Sequence, residues 1–202
     1  MQDGTYNVGD LVAVTIAFNE TVMATGSPQI TLETGATDAV AGYTAGTGTS
    51  NLTFNYTVGL GHENSDLEYN STSALALNSG TIKDAAGNNA TLTLPEIGGI
   101  GSLATNKSLV IDGVAPTVNS VSANNTNGYY TASDTLVVTI TFSEIVAVTG
   151  VPQFVLETGS NDAVIYYTSG SGTATLNFNY IIESGQNNSD LDYVNTNSLS
   201  LN

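Results

Sequence analysis

Ile111-Asp112-Gly113-Val114-Ala115-Pro116-Thr117 divides the chain. Before it, Ser108-Leu109-Val110-Ile111 is an apolar run that reads as a closing strand. After it, Thr117-Val118-Asn119-Ser120-Val121-Ser122 alternates as an opening strand does. Between the two, Asp112-Gly113 turns the chain, and Pro116 fixes one backbone angle and gives up a ladder donor. This is a short, stiff joint between two β-domains, expected at 1–113 and 114–202. Asp112 is placed to hold the joint as a ligand for a cation, or to close an Asx turn before Gly113.

The sequence on either side repeats. With Gly4 set over Gly128, the two halves run without a gap from there to Asn78 over Asn202, and roughly half the aligned positions are identical. Leu32-Glu33-Thr34-Gly35 recurs as Leu156-Glu157-Thr158-Gly159, Phe54-Asn55-Tyr56 as Phe178-Asn179-Tyr180, and Asn64-Ser65-Asp66-Leu67 as Asn188-Ser189-Asp190-Leu191. The first copy has no counterpart of Thr117–Asn127, and the second has none of Ser79–Gly113. The chain therefore reads as a window on a longer tandem array, with the second copy expected to be frayed.

Strand signals fill both copies. Leu11–Phe18 alternates with Val12, Val14 and Ile16 on one face, and Leu136–Phe142 does the same. Gln29–Glu33, Ala39–Thr44 and Asn51–Val58 follow, then Ala74–Ile82, Ala90–Leu94 and Ser108–Ile111. No stretch carries apolar residues at helical spacing over three turns. About seven or eight short strands per copy, punctuated by turns about every ten residues, predict an all-β protein with almost no helix. The expected architecture is two tandem immunoglobulin-like Greek-key sandwiches. A jelly roll or β-solenoid is the other architecture, and a solenoid would need a shorter period.

Composition narrows the function. Eighteen acidic residues face two lysines and no arginine, a formal net charge of -16, which argues against nucleic acid as a partner. So many unpaired carboxylates call for solvent, salt or divalent ions. There is no cysteine, hence no disulfide or thiolate metal site. No apolar run is long enough to span a bilayer. Met1-Gln2-Asp3 has neither a basic nor an apolar stretch, so no signal peptide is expected here. Eight Asn-x-Ser/Thr sequons occur, from Asn19 to Asn187, as a Thr- and Asn-rich chain produces by chance.

Thr139-Ile140-Thr141-Phe142-Ser143-Glu144, Asp84-Ala85-Ala86-Gly87-Asn88 and Ile111–Thr117 together give the chain a family resemblance. It resembles the bacterial Ig-like, cadherin-like tandem repeats of large secreted or cell-surface proteins such as adhesins. The resemblance implies an extracellular, non-catalytic spacer or stalk, often stabilised by Ca²⁺, with neighbouring repeats as its partners. In such a sandwich, Glu144 is expected in a loop after the second strand, at the end where Asp112 arrives. Glu20 and Asp84 are expected at the corresponding end of the first domain. Asp112, Glu144, Glu20 and Asp84 are thus the candidate Ca²⁺ ligands, with turn carboxylates as the structural alternative. Domain 2 has no counterpart of Asp84.

Asp66-Leu67-Glu68-Tyr69 and Asp190-Leu191-Asp192-Tyr193 form a second acidic pattern. It is read as turn capping beside a corner tyrosine. His62 is the single histidine and Gln186 stands in its place in the second copy, so no catalytic base or nucleophilic triad is expected. Tyr43, Tyr129, Tyr130, Tyr166 and Tyr167 would form either strand packing, the preferred reading, or a sugar-stacking face. The remaining functional alternatives are a module binding cell-surface glycans or proteins, and a subunit of a surface layer or filament whose open edges pair with neighbours.

Overall fold

The computed structural model describes residues 1–201, and the chain divides into two compact units, Met1–Ala115 and Pro116–Asn202. In the first unit, the strands are β1 (Gly4–Asn7), β2 (Leu11–Thr25), β3 (Gln29–Glu33), β4 (Ala39–Ala45) and β5 (Thr49–Thr57). They are followed by β6 (Glu63–Asn64), β7 (Glu68–Tyr69), β8 (Leu75–Ala76), β9 (Thr81–Lys83), the short helix α1 (Leu103–Asn106) and β10 (Leu109–Asp112). One sheet has the order β7-β3-β4-β5-β2-β9, with β8 also on β3, and the other has the order β1-β10-β6. The alternation of apolar residues dictates this layering. Val12, Val14, Ile30, Leu32, Leu52, Phe54 and Tyr56 are buried, while their sequence neighbours point outward. Leu109 and Ile111 of β10 bury against the same core.

Strand β2 serves two partners. Its first part, Leu11–Ala17, pairs with β5, and its last part, Met23–Thr25, pairs with β9. The Ala17–Val22 interval between them breaks register. At the β9 end the chains approach so closely that a Cβ on Gly80 would strike the Thr25 carbonyl oxygen, and Gly26 lies against the Gly80 backbone. Asn78 and Ser79 take positive φ in the same turn.

The second unit contains β11 (Val118–Ala123), β12 (Thr135–Val146), β13 (Gln153–Glu157), β14 (Ala163–Ser169), β15 (Thr173–Ile181), β16 (Asp192–Tyr193) and β17 (Leu199–Ser200). They form a sheet of order β11-β12-β15-β14-β13-β16, with β17 on β13. The run β12-β15-β14-β13 matches β2-β5-β4-β3 of the first unit. Its core is Leu136, Val138, Ile140, Phe154, Leu156, Leu176, Phe178 and Tyr180.

Several elements differ from expectation. The run Leu11–Phe18 extends to Thr25, because exposed polar Asn19-Glu20-Thr21 continue the strand across the change of partner. Ala74–Ile82 is two short strands, β8 and β9, split by the Asn78–Gly80 turn. Ala90–Leu94 is not a strand: Ala90 donates to the Ile82 carbonyl and Leu94 to that of Thr72, but no ladder continues. The irregular stretch after Pro95 contains α1, which the buried Ser102 caps by accepting from the Thr105 N–H. Gly4–Asn7 is a strand because it lies parallel to β10, with Gly4 opposite Leu109 and Asn7 opposite Asp112. Its counterpart Gly128–Thr131 is irregular.

Candidate metal sites and the anchored closing strand

Asp112 ends β10, half-buried, between Asn7 of β1 and Glu63 of β6. Opposite residues of an antiparallel pair share a face, so the register sets the Asp112 and Glu63 side chains across from one another. Among the described residues the Asp112 carboxylate accepts no hydrogen bond. Sequence reading missed Glu63, because only the strand register brings position 63 beside position 112. Immediately after, Gly113 is buried and locked by backbone bonds: its N–H donates to the His62 carbonyl at 2.7 Å, and Gly61 N–H donates to its own carbonyl at 2.8 Å. A Cβ at Gly113 would run into the Gly59 carbonyl oxygen. The Asx-turn alternative for Asp112 gives way to a strand-end position.

Glu20 and Glu144 do not lie in loops. Both sit within strands, β2 and β12, at the break in register with β5 and β15, between Ala17 and Val22 and between Thr141 and Val146. Sequence reasoning ended the strand at the last apolar residue, whereas β2 runs on to its second partner β9 and β12 rejoins β15 at Val146. Glu20 is exposed. Glu144 is half-buried, and its Oε1 is buried without a hydrogen-bond partner among the described residues. A carboxylate oxygen withdrawn from water without a donor is costly, and a bound cation would relieve it.

Asp84 follows Lys83, which pairs with Met23 in the β2–β9 ladder. Its carboxylate is engaged locally: Oδ1 accepts the Asn88 backbone N–H at 2.8 Å and Oδ2 the Asn88 side-chain amide at 2.7 Å. The Asn88 side-chain bond, then the backbone bond, hold this carboxyl below the usual carboxylate range. Asp84 thus closes an Asx-type turn. Among the described residues no three His, Cys, Asp or Glu side chains gather as a metal cluster.

The second acidic pattern is structural. Glu68 is buried and accepts three backbone N–H groups, those of Tyr69 (3.1 Å), Leu103 (3.0 Å) and Ala104 (3.2 Å). Tyr69 donates its hydroxyl to the Pro95 carbonyl at 2.6 Å. The capping residues are Asn64 and Asn188, whose side chains accept the Asp66 and Asp190 N–H groups, while Asp66 itself accepts from Leu109. In the second copy Asp192 is exposed and accepts only the Tyr193 N–H, and the Tyr193 ring packs on Phe154.

His62 is a structural acceptor. Its Nδ1 lies 3.1 Å from Gly59 N–H, which can only donate, so the ring proton is on Nε2 and the Tyr56 hydroxyl at 2.8 Å donates too. Burial pushes the Tyr56 hydroxyl up to about 12, keeping it a donor. Gln186 Oε1 receives the equivalent two bonds from Tyr180 and Glu183 N–H, each at 2.8 Å. His62→Gln is therefore expected to leave the first unit within about 0.5 kcal/mol of the parent. His62→Ala orphans two donors and costs about 1–3 kcal/mol. Urea unfolding of the two variants checks this.

Two facing β-layers, a Greek-key strand order and a repeated sequence define an immunoglobulin-like module. Residues 2–95, which make up most of the first unit, match the family model described as Bacterial Ig-like domain. The second unit carries its sequence repeat and shares its central strand order. Domains of this family are structural modules, generally found on bacterial surface proteins and typically non-catalytic. No curated protein and no solved structure gives a match. No helix among the described residues is long and apolar enough to cross a membrane.

Proposed function

We propose that the chain is a non-catalytic, Ca²⁺-stiffened spacer in the stalk of an extracellular, adhesin-like surface protein. The observation that carries this reading is the parallel β1–β10 pair. The chain enters the first unit through β1 and leaves it through β10, so tension on its two ends pulls these strands in opposite directions along their length. All four register pairs, from Gly4–Leu109 to Asn7–Asp112, then bear the load together in shear instead of parting one by one. Asp112 terminates the loaded strand across from Glu63, where Ca²⁺ would clamp the two carboxylates together. The orphaned Glu144 oxygen supplies a second ligand candidate, while exposed Glu20 and already-bonded Asp84 are weaker ones.

Force spectroscopy on the full chain, tethered at both ends, tests the proposal. The first unit should unfold at higher force than the second, in which no such parallel pair occurs among the described residues. Tyr6→Pro, which removes an N–H that the alternation set by the Gly4–Ser108 bond points toward β10, should abolish the difference. Ca²⁺, but not Mg²⁺ at matched ionic strength, should raise the first unit's force and melting midpoint. The gain would be about 2.7 kcal/mol at a hundredfold excess over Kd, and Asp112→Asn should remove it. Equal forces in the two units would refute the mechanical role, and indifference to Ca²⁺ would refute the clamp.

A further inference from the structure

The outer sheet faces of the two copies differ at several positions, as their cores do at Val12/Leu136, Ile30/Phe154 and Ala41/Ile165. In the second unit the register sets Val155 beside Val164 on β13 and β14, and Ile181 beside Thr135 on β15 and β12. The adjacent row runs Gln153, Tyr166, Asn179, Val137. The first unit has the same two rows in the same register, filled by Thr31, Val40, Thr57 and Leu11, and by Gln29, Gly42, Asn55 and Ala13. Thr31, Gly42 and Thr57 have thus become Val155, Tyr166 and Ile181, whereas Gln and Asn are kept on either side of the tyrosine. The changed side chains lie on the outer face, where Tyr166 is 49% exposed and Ile181 60%, with Val155 half-buried beside them.

The surface here is concave. A depression of about 350 Å³ runs along Val164, Tyr166, Asn179 and Ile181, with Asp162 and Glu183 at its rim. That volume lies at the small end of ligand sites, and the patch is far below the area a stable protein interface buries. A second copy is disfavoured, since each chain carries a net charge of -16. The acidic rim, and the absence of Lys or Arg anywhere in the second unit, exclude anionic ligands. What remains is an open tyrosine ring with the Asn179 amide beside it in the depression and Gln153, outside the depression, next to it on β13. Neither the Gln153 nor the Asn179 side chain forms a hydrogen bond among the described residues. An amide both donates and accepts, as a sugar hydroxyl does, and the ring and aliphatic side chains suit the C–H face of a pyranose.

We propose that this face of the second unit is a binding platform for a neutral oligosaccharide, with Tyr166 as the stacking ring and Gln153 and Asn179 as the polar contacts. The assignment goes beyond the spacer role and stands without it. Of the tyrosines, Tyr43 and Tyr167 pack edge-on against Phe54 and Phe178 beneath the sheet, so the platform has one ring and not a row.

The test is a ¹H–¹⁵N NMR titration of the full chain with maltotriose, cellotriose and triacetylchitotriose. At least one should produce saturable shifts at Gln153, Tyr166 and Asn179, with a Kd on the order of 1 mM or tighter, and none at Gln29, Gly42 and Asn55. Tyr166→Ala should weaken binding about tenfold or more. Ile181→Thr, which restores the first copy's residue, should weaken it less while leaving the fold intact. The proposal is overturned by the absence of shifts with all three sugars, by equal shifts in both units, or by binding that survives Tyr166→Ala. Shifts of these residues with protein concentration in place of sugar would overturn it in favour of self-association.

Discussion

Glu68→Ala is expected to destabilise the first unit by about 3 kcal/mol, whereas Asp192→Ala, at the aligned position, should change the second by no more than about 0.5 kcal/mol. Glu68 is buried, and three backbone donors converge on it, two of them at the N-terminal end of α1. Truncation leaves those N–H groups without their acceptor, one of them buried and two half-buried. It also frees the Pro95–Asn106 stretch, which is tied to the sheet through Glu68 and through the Tyr69 hydroxyl. Asp192 is exposed and accepts one local bond, which water replaces. Chemical denaturation of the full chain, read with probes in each unit, separates the two effects. Glu68→Gln should recover part of the loss, since one oxygen still accepts. Equal costs at the two positions would show that the acidic pair matters by charge alone.

Phe54→Ala is expected to cost the first unit about 3–5 kcal/mol, a fall in its midpoint on the order of 15 °C. Phe54 is completely buried at the centre of β5, and Tyr43 meets its ring edge-on at 5.9 Å. Removing the ring leaves a cavity lined by strands that are hydrogen-bonded on both sides, so the walls cannot close on it. The second unit has its own core around Phe178, and its transition should stay in place. Calorimetry on the full chain decides this: a shift of both transitions would mean that the two units unfold as one.

The repeat governed how far the sequence could be read. Strands buried on one face carry alternation in their own letters, so Gln29–Glu33 coincides with β3, and the all-β character follows from composition and turn spacing. Gly4–Asn7 carries no such pattern. It is a strand only because β10, more than a hundred residues later, offers an edge, and a parallel pairing across that span has no local signature. Ala90–Leu94 shows the reverse case: its alternation is genuine, but its ladder stops after the single Lys83–Asn89 bridge. The candidate metal ligands divide in the same way. The acidic residues were visible, yet the pairing of Asp112 with Glu63 and the burial of one Glu144 oxygen depend on register and packing.

By itself the sequence determined the tandem repeat, the division near Asp112-Gly113, the predominance of strands and the inward-facing residues of each long strand. These are properties of local alternation, turn chemistry and self-similarity. Only the tertiary structure decided the parallel β1–β10 pair, the three-donor cradle of Glu68 and the acceptor role of His62. It alone aligned Val155, Tyr166 and Ile181 on one outer face of the second unit. Each of these depends on bringing together residues remote in the chain, and a backbone that alternates faces every residue leaves that choice to pairing register.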